Sequence, residues 1–153
     1  MPKIDIASIT PEKGSSYPEP YREMAAQKTW LELGKAAGLT QFGASLMTIE
    51  PGSISSQRHW HEGEDEFLMM LSGELVLVEE DSETIMRAGD VAGFKAGVAN
   101  GHHMVNRSND EAKFLVVGTS ATIDTCHYPD IDLRFEADEN GQRFVTKAGV
   151  PYK

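Results

Sequence analysis

The sequence predicts an all-β protein, an antiparallel sandwich or small barrel, and three observations carry that prediction. From Lys28 onward, apolar and β-branched residues recur in short runs with a period of two. Turn-forming breaks follow one another closely, at Gly63, Ser72-Gly73, Asp81-Ser82, Ala88-Gly89, Gly97 and Ser108-Asn109. Helical periodicity is almost absent. At 153 residues the chain is expected to form one domain, with an irregular arm over 1–27, a β core over 28–119 and an extension over 120–153.

The arm carries Pro2, Pro11, Pro18 and Pro20 with Gly14-Ser15-Ser16 between them, a composition for a segment laid over another surface. Pro20 suits the first turn of a short helix through Arg22–Ala26, where a missing amide costs nothing. Strands are then expected at Lys28–Leu33, ended by Gly34, and at Gln41–Glu50, ended by Pro51-Gly52. Further strands are expected at 54–61, 65–71, 74–80, 83–87, 90–94, 102–107 and 113–119. In the tail, 131–135 and 143–146 flank Asn140-Gly141, a hairpin signal, and this C-terminal β-hairpin is expected to cover a sheet edge. No internal repeat or low-complexity segment is present.

A formal net charge of -10 opposes nucleic acid and anionic membrane surfaces as partners. No apolar stretch approaches the roughly 20 residues of a membrane span, and the N-terminus lacks the pattern of a signal peptide. One cysteine, Cys126, has no internal disulfide partner, so the cytoplasm is the expected location.

Chemistry concentrates between Pro51 and Gly73. On a strand, His59 and His61 point to one face while Arg58 and Trp60 point to the other, so the two imidazoles can chelate one ion. A turn at Glu62-Gly63 lets Glu64, Asp65 or Glu66 return to the same ion. Of the adjacent pair His102 and His103, which face opposite sides of their strand, one at most joins. Three imidazoles and a carboxylate suit Zn, Mn, Fe, Ni or Co better than Ca or Mg, which prefer oxygen-rich shells.

The two segments resemble the two motifs of the cupin superfamily. In the first, Gly52, His59-Trp60-His61, Glu66 and Gly73 match a glycine, a His-x-His pair, a glutamate and, after six intervening residues, a glycine, a spacing that selects Glu66 over Glu64 and Asp65. In the second, Gly89, Lys95-Ala96-Gly97, His102 and Asn106 match a glycine, a turn, and a histidine and asparagine with three residues between them, which selects His102 over His103. Departures lie in the loops: one extra residue precedes His59, Lys95 replaces the turn proline, and two extra residues precede His102. The resemblance implies a double-stranded β-helix, the cupin jelly-roll barrel. It also implies a divalent transition metal held by His59, His61, Glu66 and His102, with coordination positions left open for water or substrate.

The expected function is that of a metal-dependent enzyme acting on a small chelating carboxylate, keto-acid or sugar derivative, by isomerisation or epimerisation, decarboxylation or dioxygenation. The alternatives are a non-catalytic sensor of a small sugar or acid and a protein with a purely structural metal. Its expected partners are that small molecule and a second copy of the chain in a homodimer. His103 is read as facing the other side of its strand, Glu64 and Asp65 as solvated turn residues, Lys95 and Arg58 as exposed loop cations, and Trp60 as sheet packing or an interface contact. Phe42, Leu46, Phe67–Leu71, Phe94, Phe114, Val116 and Val117 are assigned mainly to the core, with some Met and Phe lining a pocket. Cys126-His127-Tyr128 lacks an orienting acid and is not read as a nucleophile.

Overall fold

A computed structural model describes residues 2–153. The strands among them are β1 Glu12–Lys13, β2 Thr29–Glu32, β3 Phe42–Ile49, β4 Trp60–His61, β5 Glu66–Ser72, β6 Glu74–Val78 and β7 Glu83–Arg87, then β8 Val91–Phe94, β9 His103–Val105, β10 Ala112–Thr119, β11 Asp124–Tyr128, β12 Leu133–Asp138 and β13 Gly141–Val145. One sheet has the order β1-β2-β3-β10-β5-β8. The opposing layer is built from β13-β12-β11-β4 and β7-β6-β9, joined where Ile54 bridges Val105 and His59 bridges His102. All pairings are antiparallel, as the double-stranded β-helix requires. No helix among the described residues is long and apolar enough to cross a membrane.

The core fills the space between the layers. Alternation turns Ile49 of β3, Leu68 and Met70 of β5 and Phe114 of β10 inward to meet Leu75, Leu77, Met86 and Met104 from the other layer. Burying a side chain of this size contributes about 1.5–3 kcal/mol. A second cluster lies under the N-terminal arm, where Tyr17 packs edge-on against Tyr128 and Phe144 and lies with Ala25, Ile54, Cys126 and Leu133. The arm thus packs over the β11-β12-β13 end of the second layer. Gly73 turns β5 into β6 at φ +74°, and a Cβ there would lie 2.7 Å from the Glu111 carbonyl, so two independent constraints demand glycine.

Several elements differ from those expected of the sequence. The helix expected at Arg22–Ala26 is a 3-10 turn over Glu23–Ala25, and the first long strand stops at Glu32 because Leu33–Ala36 (α1) is one helical turn. The strand expected at 54–61 is regular only at Trp60–His61. Ser55 Oγ accepts the Met104 amide while the Ser55 amide donates to the Met104 carbonyl, so a side chain takes a backbone place and the ladder breaks. Strand β11 was not among the expected strands, since the residues it buries are Asp124, Cys126 and Tyr128 and carry no apolar alternation. The tail hairpin forms at Asn140-Gly141 as expected and extends β11 of its own subunit.

The core assignment of the Phe67–Leu71 run is half right. Leu68 and Met70 are buried, whereas Phe67, Met69 and Leu71 are exposed, as is Phe42. Both faces of β5 are apolar, so composition could not say which face turns inward.

Candidate metal centre

The elements bring donor atoms of His59, Glu66 and His102 within 4.8 Å of one another, and His61 borders that group beside His59 and Glu66. His59 and His102 exchange backbone hydrogen bonds of 3.1 and 2.9 Å, which sets their rings side by side. His61, two residues on, lies on the same face, and its strand is held by Cys126 of β11. Glu66 arrives from the opposite layer, at the start of β5. Its Oε2 lies 2.8 Å from His102 Nε2, 3.4 Å from His59 Nε2 and 3.9 Å from His61 Nε2.

The other ring nitrogens decide what those Nε2 atoms offer. His59 Nδ1 lies 2.9 Å from the Gln57 carbonyl, His102 Nδ1 3.2 Å from the Asn100 carbonyl and His61 Nδ1 2.6 Å from Asp124 Oδ2. Each acceptor calls for an N–H on Nδ1, which assigns the neutral tautomer with its Nε2 lone pair facing inward. Three lone pairs then converge on a carboxylate, an arrangement of acceptors that only a cation or added protons can satisfy. Phe94 stacks on His102 at 3.5 Å and 4°, fixing the ring plane.

The charge balance shows the same demand. Burial alone would push the Glu66 carboxyl up, but the His102 and His59 rings hold it well below the carboxylate range. Burial would lower His59, and the hydrogen bond and charge of Glu66 reverse that and raise it. The donor set therefore fits a divalent transition metal ion. His61 is shared with two neighbouring groups, His59-His61-Cys126 and His61-Glu64-Asp124, whose donor atoms likewise lie within 4.8 Å of one another. Burial pushes the Cys126 thiol up, away from the thiolate a metal would need. Asp124 is committed to His61 and to the Gly63 amide, at 2.8 Å.

Three cavities border these residues. An inner one of about 170 Å³ is lined by Met47, Phe94, Met104 and Phe114 beside His59, Glu66 and His102. A second, of about 200 Å³, holds Trp60, His61, Glu64, Lys95 and Asn100. A third, of about 320 Å³, opens under the arm between Ser15, Ser16, Tyr17, Lys28, Trp30 and the two rings His59 and His61. The expected lining by Met and Phe is thus present, with open space on several sides of the four donors.

Other candidate residues fall as follows. His103 turns away to the Ser56 carbonyl at 2.8 Å, and burial lowers it. Asp65 accepts the Ala96 amide and pins the loop before the second histidine segment. Glu64 is no simple solvated turn residue: it accepts the Ala121 amide, lies 3.7 Å from His61 Nδ1, and burial raises its carboxyl. Arg58 is not a free loop cation, because Asp130 grips it through two bonds of 2.8 and 2.7 Å and Glu80 takes a third. Trp60 stacks on His127 at 4.3 Å. Cys126 is a buried thiol that desolvation pushes up.

Asp124 and Lys28 were missed. Asp124 lies 63 residues from His61 in a strand with no amphipathic signature, and no local spacing could have paired them. Lys28 stood in the sequence only as the start of a strand.

Comparison with known proteins bears on the family and the fold. The cupin domain family pattern matches residues 45–118. A Silicibacter pomeroyi protein described as a sugar phosphate isomerase from the cupin superfamily superposes with a TM-score of 0.94 at 44% identity, over 99% of this chain and 96% of that one. A candidate sugar phosphate isomerase from Acidithiobacillus ferrooxidans gives 0.75 at 30% identity, over 82% and 80%. A predicted oxalate decarboxylase from Thermotoga maritima gives 0.62 at 27%, over 76% and 97%. No curated protein matches the chain. With the jelly-roll layers, the two histidine segments meeting at one point and a relative sharing 44% of its residues over nearly the whole length, the chain belongs to the cupin superfamily.

Proposed function

We propose that this protein is a metal-dependent isomerase of a small sugar derivative, with the ion held by His59, His61, Glu66 and His102. The observation that carries the reading is the convergence of three Nε2 lone pairs and one carboxylate on a point open to three cavities. The isomerase class is supported by the Silicibacter pomeroyi relative, which is described as acting on sugar phosphates. When bound, the ion supplies Lewis acidity, polarising the carbonyl and hydroxyl oxygens of a chelating substrate.

The protein's own groups do the rest. The Nδ1 acceptors hold the three rings in one tautomer, and Phe94 holds the His102 plane, so the ligands need little reorganisation. The walls of Met47, Met104 and Phe114 exclude water from the carbon skeleton. Glu64 lines the second cavity beside His61 and is the carboxylate placed to move a proton between neighbouring carbons. The exposed outer face of the first sheet is the surface proposed for homodimerisation.

Elemental analysis of fresh wild-type protein and of the His59→Ala and His102→Ala variants tests the ligand set. A divalent transition metal near one per chain in the wild type, and its loss in both variants, is expected; full occupancy in both variants sinks the assignment. For the reaction, incubation with aldose and ketose phosphates in deuterated water reports isomerisation as solvent label at carbon. Tight binding without label exchange replaces the isomerase with the sensor reading.

A further inference from the structure

The cavity under the arm has an unusual lining for this chain. The protein carries 24 Asp and Glu against 14 Lys and Arg. Yet the third cavity is lined by Ser15, Ser16, Tyr17, Lys28 and Trp30 above His59 and His61, with no Asp or Glu in its wall. A strongly acidic molecule has kept its carboxylates out of one space that opens onto the metal point.

Lys28 is the cation of that space and also borders the inner cavity, and His59 lines both with it. The ammonium donates to the Ser55 carbonyl at 2.7 Å and lies 5.6 Å from the centre of the Trp30 ring. Among the described residues it forms no ion pair, and desolvation pulls it down to about 8. An ammonium with three donors, one neutral acceptor and no counter-charge is costly to hold in a folded protein unless a ligand supplies the missing charge. Ser15 Oγ accepts the Tyr17 amide at 3.1 Å, which leaves its hydroxyl hydrogen to donate outward.

The competing cations are otherwise disposed. Arg58 is saturated by Asp130, Glu80 and the Gly101 carbonyl. Lys95 is exposed and lines neither of the cavities that Lys28 borders; of those two, only the inner one carries a carboxylate, Glu66.

We infer that the cavity under the arm is an oxyanion subsite, in which Lys28, with the Ser15 hydroxyl, binds the phosphate or carboxylate group of a substrate whose oxygen-bearing end reaches the metal point. The inference rests on the proposed function only for what occupies the metal point. It makes the N-terminal arm part of the substrate site and Lys28 a specificity-determining residue. A phosphate ester and a carboxylate present the same chemistry to an ammonium, charged oxygens with free lone pairs.

Calorimetric titration of the metal-loaded protein tests this with a hexose phosphate, a hexuronic acid and the matching neutral hexose. The wild type is expected to bind at least one of the two anions about tenfold or more tightly than the neutral sugar. A preference for the phosphate ester assigns a phosphoryl group and a preference for the hexuronate a carboxylate. Lys28→Met and Lys28→Gln are expected to erase the preference while retaining metal content and the far-ultraviolet dichroism of the wild type, and Lys95→Met to keep it. The inference is overturned by a wild type without preference, by a preference that persists in a folded Lys28 variant, or by equal loss in Lys95→Met. Absence of turnover with the preference intact would sink the isomerase reading alone.

Discussion

Asp124 shows how one residue can govern a site it does not enter. Its two oxygens hold His61 Nδ1 at 2.6 Å and the Gly63 amide at 2.8 Å, so it sets both the tautomer of a proposed ligand and the turn that follows it. Asp124→Ala is expected to weaken metal binding about 10–100-fold, measured by competition with a chelating dye; unchanged affinity would remove the orienting role. Lys28 gives a second prediction, with a definite sign. Its ammonium titrates near 8 in the folded chain against an ordinary 10.5. Between those values the unfolded chain still holds the proton that the folded chain has released, so stability rises with pH across that window, and below it the full penalty remains. Lys28→Met should therefore be more stable than wild type at pH 7, by about 1 kcal/mol after allowance for solvent screening. Thermal melts should show that gap closing as pH rises from about 8 to 10.5. A less stable variant at pH 7 contradicts the burial argument.

Among the elements, the segment from Ser53 to His61 is the one whose irregularity matters. Ser55 replaces a rung of the ladder with its own hydroxyl, and the bridges at Ile54 and His59 lie on either side of that break. Ser55→Ala leaves the buried Met104 amide without an acceptor and should cost about 1–3 kcal/mol in urea unfolding; a change below about half a kcal/mol would mean the backbone repairs itself. Most strands were legible in the sequence because one face of each is apolar and the breaks carry glycine or paired turn residues. The break at Ser55 and the strand Asp124–Tyr128 were not legible. Both use polar side chains on buried positions, and a buried polar group is recognised only by its partner, which here comes from a distant strand.

For the whole molecule, the outer face of the first sheet carries the dimer proposal. Leu31, Leu46, Leu115, Met69 and Val91 stand in register across β2, β3, β10, β5 and β8, an apolar row on a chain of net charge -10. Met69 and Val91 in that row are exposed, with Phe67 and Phe42 nearby on the same sheet. A second copy fits because an apolar row can face itself across a two-fold axis, whereas a charged face would repel its own image. Light scattering should give about twice the 16.8 kDa of one chain, falling to the single value in Met69→Glu and Leu115→Glu. A monomeric wild type would end the proposal.

The sequence by itself determined the all-β class, the places where the strands turn and, through the spacing of two histidine segments, the cupin family and its candidate ligands. These are local properties: a period of two, a turn glycine, a fixed interval between side chains on one strand. Only the tertiary structure decided which face of β5 is buried, that Asp124 backs His61, that Arg58 is neutralised, and that Lys28 stands uncompensated beside the metal point. Each of these depends on the electrostatic or packing partner that another strand supplies, and no interval along the chain encodes it.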